Sequence, residues 1–473
     1  VRRRVIVVPT VIAAVIAGAV LVGAPQRVGE TVTVAAPSSA ASSAAEPTPS
    51  AVASPAVASP AAPVPSTRPS PVAPSSVASP SNDPSAAPSP IPPPLPALSA
   101  TAIDPPRLDR VLASARTKHG IPGISATLVF ADGSSWTGVS GYADVARKRL
   151  VEPDTVFAAA SVSKTFTAAL VLSLVEEGRL SLTDRVHDRV PDLPTNRIPK
   201  AVTIRMLLDH TSGIADYYLH PKINGVLLAD RDRRWTSAQV LRYVGKPWFK
   251  AGTDWRYSNT NYYLLGLVAE AVTGRSLASE LHARFLDPLG LEHTTVQGYE
   301  RSSGPGTNAY RFASTGTKAK PVALGDGSGI MPFTSVVTAS GAAGSIASTS
   351  GDLARWGKSL YGGDALDETT RAMLLGSIDG TTSYKPSVPY GYGVQRVTVL
   401  GHEAFGHSGR FLGARALVRY LPDTGLSVAV LANTSRTDLR AVLGSLVKAT
   451  MPVPAREPAV PVPSALPSGV PTD

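Results

Sequence analysis

The chain has 473 residues, no cysteine and a formal net charge of +10. It therefore has no disulfide, no thiolate nucleophile, no Cys-ligated zinc and no lipid-modified cysteine. The charge reads first as solubility and second as attraction to an anionic cell envelope or substrate. No basic run is interleaved with aromatics, which argues against nucleic acid.

Arg2, Arg3 and Arg4 precede an apolar run from Val5 to Ala24. Residues 1–25 thus predict a signal peptide or an uncleaved membrane anchor, with the rest of the chain outside the cytoplasm. Residues 26–103 are almost entirely Pro, Ala, Ser and Val, and residues 451–473 are also Pro-rich. Both stretches lack the large apolar side chains that offset the entropy of ordering, so a disordered linker and tail are expected. As an extended chain the linker would reach about 200 Å, and as a coil roughly 50 Å. Residues 104–450 hold the apolar content of a folded domain, expected to act as a monomer.

Within that domain the pattern predicts a helix over about Pro106–Lys118, ended by Gly120. Strands follow at Ile124–Phe130 and Ser135–Gly141, joined by a turn carrying Asp132-Gly133. Helices are expected at Thr165–Glu177, Ile204–Leu208, Tyr262–Val272 and Leu277–Phe285. The stretch Gly298–Ala339 resists assignment. Strands return at Tyr392–Leu400, Leu412–Tyr420 and Leu426–Ala432, and a helix at Leu439–Lys448 closes the domain. The fold class is α+β: an antiparallel sheet flanked by helices, with an inserted, mostly helical lobe.

Three short motifs stand in order along this frame. Ser161-Val162-Ser163-Lys164 sets a serine and a lysine three apart, on one helical face. A serine at a helix start lies in the positive end of the helix dipole, and a lysine made neutral by burial can take its proton. Tyr257-Ser258-Asn259 offers a phenol that can pass a proton to a leaving group and an amide that can grip a substrate amide. His407-Ser408-Gly409 precedes the strand-like run that ends at Tyr420. A strand edge there can pair with substrate, with Gly409 permitting close approach. The backbone N–H of Arg410, with that of Ser161, can form an oxyanion hole. Ser445-Leu446-Val447-Lys448 is a second S-x-x-K, but it comes after the other motifs, near the end of the last helix. His210, in His210-Thr211-Ser212-Gly213, reads as structural. No H-E-x-x-H pair is present, so neither a metal nor another cofactor is expected.

With these motifs, Thr203–Gly213, Tyr257–Gly266, Asp287-Pro288-Leu289-Gly290 and Leu431-Ala432-Asn433-Thr434, the chain resembles the serine β-lactamase-like family over about Leu108 to Ser435. That group includes class C β-lactamases, D-alanyl-D-alanine carboxypeptidases and related esterases. The resemblance implies Ser161 as acylated nucleophile, Lys164 and Tyr257 as proton carriers and Asn259 as amide contact. His407 and Ser408 depart from the commoner Lys-Thr-Gly, a version similar to that of secreted actinomycete carboxypeptidases. The departure leaves open whether His407 or Arg410 meets a substrate carboxylate. The expected activity is a penicillin-sensitive carboxypeptidase on cell-wall peptides ending in D-Ala-D-Ala. A β-lactamase or esterase of the same fold is the alternative. A non-catalytic wall-binding or β-lactam-sensing protein is the rival of another class.

Overall fold

A computed structural model describes residues 104–312 and 319–451. The apolar run at Val5–Ala24, the linker and the Pro-rich tail lie outside the described residues. Among those residues no helix is long and apolar enough to cross a membrane.

Helix α1, Pro105–His119, shows how local chemistry sets an element. The Asp104 carboxylate accepts from Arg107 N–H, prolines fill the first helical positions, and Gly120 closes the helix at φ 60°. Each device satisfies or removes a backbone group that the helix end leaves over. Strands β1 (Gly123–Val129), β2 (Ser135–Asp144) and β3 (Arg149–Leu150) follow. Helix α2, Ser163–Glu176, starts the inserted lobe, which also holds α3 (Asn259–Thr273) and α4 (Ser350–Gly362). The chain returns through β4 (Gln395–Val399), β5 (His402–Phe411), β6 (Ala414–Leu421) and β7 (Leu426–Ala432) to α5 (Leu439–Thr450).

The seven strands form one sheet in the order β3-β2-β1-β7-β6-β5-β4. Every neighbouring pair is antiparallel. The first and last long strands therefore meet at the centre, with Ile124 opposite Ala432 and Val129 opposite Ser427. Both are buried along their whole length. They are buried on both faces because both faces of the sheet are covered, and the hydroxyls of Ser125 and Thr127 in β1 are satisfied by Ser350 of α4. On one face Ile124, Leu128, Val428 and Val430 pack with Leu112 of α1 and Leu443 of α5. On the other, Val129, Ala429 and Leu431 join a larger core with α2, α3 and α4.

Two boundaries differ from expectation in ways that matter. The sequence pattern placed His407 before a strand; it lies inside β5, and Leu412-Gly413 is the tight turn into β6. The glycines at 401, 406, 409 and 413 had hidden that strand, since they break the apolar alternation on which strand reading depends. The Gly298–Ala339 stretch contains a short hairpin, Tyr310–Phe312 with Pro321–Ala323, and a helix at Thr334–Ser340.

Candidate active site

Ser161 sits on a single 3-10 turn, Ala160–Val162, that feeds directly into α2. Ala160 before it is held at φ 48°. A left-handed alanine costs about 1–2 kcal/mol. The turn is fastened by Ser163, whose hydroxyl donates to the Ala160 carbonyl at 2.6 Å and accepts from Ile346 N–H at 2.9 Å. Below it, α2 is buried from Ser163 to Leu174. The Phe166 ring stacks on Trp356 of α4 at 4.1 Å, and the Trp356 indole donates to Thr165 Oγ1. A helix with no solvent face holds its first turn rigidly.

Lys164 is fully buried. Its Nζ lies 3.2 Å from Ser161 Oγ, 2.8 Å from Asn259 Oδ1 and 2.7 Å from the Ala343 carbonyl oxygen. Burial pulls its pKa down to about 7, and Asp216 pulls the other way. The amide and the carbonyl can only accept, so two N–H bonds of Lys164 go to them. In the neutral amine the remaining position is a lone pair, and it faces the Ser161 hydroxyl. That geometry would allow the lysine to take a proton from the serine hydroxyl.

Asn259 couples this pair to a residue that sequence reading missed. Its Nδ2 donates to Asp216 Oδ2 at 2.9 Å while its Oδ1 receives Lys164. Asp216 is buried, which raises its pKa, and it also accepts from Tyr218 N–H at 2.9 Å. Asn259 therefore orients the lysine, and its inventory leaves one N–H and one lone pair for a substrate amide. A lone aspartate three residues after Gly213 carries no signal of this role in sequence. The Ala343 carbonyl is likewise invisible except as part of the small-residue run Gly341-Ala342-Ala343-Gly344.

Tyr257 lies with its ring 5.2 Å from Lys164 Nζ. Burial raises its pKa above the usual phenol value, against the hydrogen-bonding Ser161 hydroxyl, so it carries its proton at neutral pH. His210 braces the motif. Its Nδ1 accepts from Ser258 N–H and from Asn261 Nδ2, its carbonyl accepts from Arg256 N–H, and its ring lies 4.4 Å from that of Tyr257. The structural reading of His210 fits these contacts.

The third motif borders the site along β5. A side chain at Gly409 would put its Cβ 2.1 Å from the Ala159 carbonyl oxygen, so only glycine lets the strand lie against the nucleophile turn. The β4 ladder stops at Gly406, leaving the edge from His407 onward without a strand partner among the described residues. Alternation puts His407 on the same face as Gly409, and Ser408 and Arg410 on the opposite face. Consistently, Ser408 is exposed and pairs in register with Leu417, a residue of the α1–α5 core. Only the backbone of Arg410 borders the site.

His407 is almost wholly buried. Its Nδ1 lies 2.8 Å from the Ser408 carbonyl, which can only accept, so Nδ1 carries the proton. Nε2 then accepts from the Tyr390 hydroxyl at 2.9 Å. Burial, Lys164 and Arg419 hold its pKa well below the usual histidine value, against the Ser408 carbonyl. Which of His407 and Arg410 would meet a substrate carboxylate was left open by the sequence, and the structure adds the surroundings of each side chain. Burial and these two hydrogen bonds favour the neutral form of His407, and strand alternation puts the Arg410 side chain on the far face.

The second S-x-x-K is unlike the first. Ser445 is exposed and its hydroxyl donates back to the Ala441 carbonyl, while Lys448 projects outward from α5. Among the described residues no cluster of His, Asp and Glu could hold a metal ion.

The model of the Beta-lactamase family matches residues 108–449. Penicillin-binding protein 4 of Amycolatopsis lactamdurans is 31% identical over 368 residues, 74% of this chain and 92% of that protein. A D-aminopeptidase of Gluconobacter oxydans is 27% identical over 69% of this chain and 58% of its own length. The crystal structure of a D-stereospecific amidohydrolase from Streptomyces sp. is 30% identical and superposes with a TM-score of 0.60, covering 72% of this chain and 97% of that one.

Proposed function

The chain belongs to the β-lactamase family, a group of serine hydrolases, and from that premise we propose that it is an extracytoplasmic acyl-transfer enzyme using Ser161. Its leading substrates are cell-wall peptides ending in D-Ala-D-Ala, and penicillins acylate the same serine. The observation that carries the reading is Lys164: buried, drawn to a pKa of about 7, and with two acceptor-only partners that turn its lone pair on Ser161.

In this reaction neutral Lys164 takes the Ser161 proton as Oγ attacks the substrate carbonyl. The backbone N–H groups of Ser161 and Arg410 receive the oxyanion. Protonated Tyr257 gives its proton to the leaving nitrogen and recovers one from Lys164. The free edge of β5 pairs with the substrate backbone while Asn259 holds its amide. Water then repeats the sequence on the acyl-enzyme.

A second reading is favoured by the third motif. Neither His407 nor Arg410 brings a cation to the place where a terminal carboxylate would lie. An amide or aminopeptidase substrate of D-configuration, of the kind named for two of the relatives, needs no such cation. Turnover of D-Ala-D-Ala peptides, D-amino acid amides, nitrocefin and short-chain esters, in wild type and Ser161→Ala, distinguishes the two. Release of D-Ala from the free-acid peptide supports the carboxypeptidase. Turnover of amides alone supports the amidase. Acylation by penicillin with no turnover of any substrate would contradict both in favour of a sensor.

A further inference from the structure

Arg419, on β6, is only 4% exposed. Its Nη1 donates to the Val418 carbonyl at 2.8 Å and its Nη2 to Gln395 Oε1 at 2.9 Å. Both acceptors are neutral, and among the described residues no carboxylate stands within ion-pair distance of it. A buried charge without a counter-ion is costly, and native proteins pair or neutralise such groups. Arg419 lines a cavity of about 490 Å³ between β4, β6 and α5. Arg440 and Lys448 stand on its α5 wall, and Arg440 alone is answered by an acid, Asp438. The rest of the lining is largely hydrocarbon, including Val399, Leu417 and Leu443.

This cavity lies on the α1–α5 face of the sheet, away from Ser161, and it absorbs the second S-x-x-K. Ser445 and Lys448 share the helix side that lines it. A volume in the range of small-molecule sites, cations at one part and an apolar wall at another describe an amphiphile with a negative head. A carboxylate fits the guanidinium fork, and a hydrocarbon chain fits the wall. We propose that the cavity between β4, β6 and α5 is a binding site for a single-chain anionic amphiphile, its head on Arg419 and its tail along Val399, Leu417 and Leu443.

Titration of dodecanoate into the full chain below its micelle concentration, followed calorimetrically, tests this. One saturable site is expected, with dodecanol at least about tenfold weaker. Arg419→Gln should weaken dodecanoate by about tenfold or more. Gly444→Phe covers the risk that a buried arginine is needed for folding. A Cβ at Gly444 meets open space, so the added ring fills the cavity without a clash in the core and should abolish binding. Lys448→Glu, an exposed change at the rim, should weaken dodecanoate but not dodecanol. Absence of saturable dodecanoate binding, equal affinity for dodecanol, or unchanged binding in Gly444→Phe would overturn the proposal.

Discussion

At the residue scale the proposed reaction turns on one proton, held or lost by Lys164. With its pKa drawn down to about 7 by burial, the amine is neutral on the alkaline side of that value and an ammonium on the acid side. Only the neutral amine can accept from Ser161. Acylation by a neutral ester should therefore fall as pH drops below about 7, approaching tenfold per pH unit. Asp216 raises the Lys164 pKa, so Asp216→Asn should move this acid limb to lower pH. A limb that stays in place or moves upward would contradict the coupling. His407 should contribute nothing to the profile near pH 7, since burial lowers its pKa well below the usual histidine value. His407→Gln is thus expected to change the rate without displacing the limb, measured as kcat/KM against pH. Displacement by a pH unit or more would mean that the imidazole is charged in the working enzyme.

At the scale of elements the site depends on three pieces held at fixed distances: the turn into α2, the start of α3 and the open edge of β5. Ser163 is the fastener between the first of these and the strand Ile346–Ser348. Ser163→Ala leaves the buried Ile346 N–H without its acceptor, a loss of about 1–3 kcal/mol. Thermal unfolding should show a lowered Tm, and acylation should slow because the nucleophile turn loosens. Unchanged Tm and rate would mean that α2 is held by packing alone. Unlike α4, Ser350–Gly362, which was not read at all, helices α1, α2, α3 and α5 and the central strands were legible in sequence. β5 was not, because its glycines serve the turns and the approach to Ala159 rather than the pleat. Ser161, Lys164, Tyr257 and Asn259, picked out by motif spacing, lie together in the structure. Asp216, Tyr390 and the Ala343 carbonyl were not found, because their contributions arise from contacts across distant parts of the chain. The surroundings of His407 were illegible for a related reason: a motif shows which residue stands at a position, whereas burial bears on its charge.

For the whole molecule, the described residues already contain both cores and every group assigned to acyl transfer. A chain trimmed to residues 101–451 should be soluble, with the same kcat/KM per folded molecule as the full chain. Aggregation or lost turnover would show that the Pro-rich segments take part in the fold or the site. The central claim, that Ser161 is acylated with Lys164 as its base, is tested most directly by peptide mapping after a fluorescent penicillin. A single adduct is expected on the peptide bearing Ser161, absent in Ser161→Ala and formed far more slowly in Lys164→Ala. An adduct on Ser445, or labelling that survives Ser161→Ala, would contradict it.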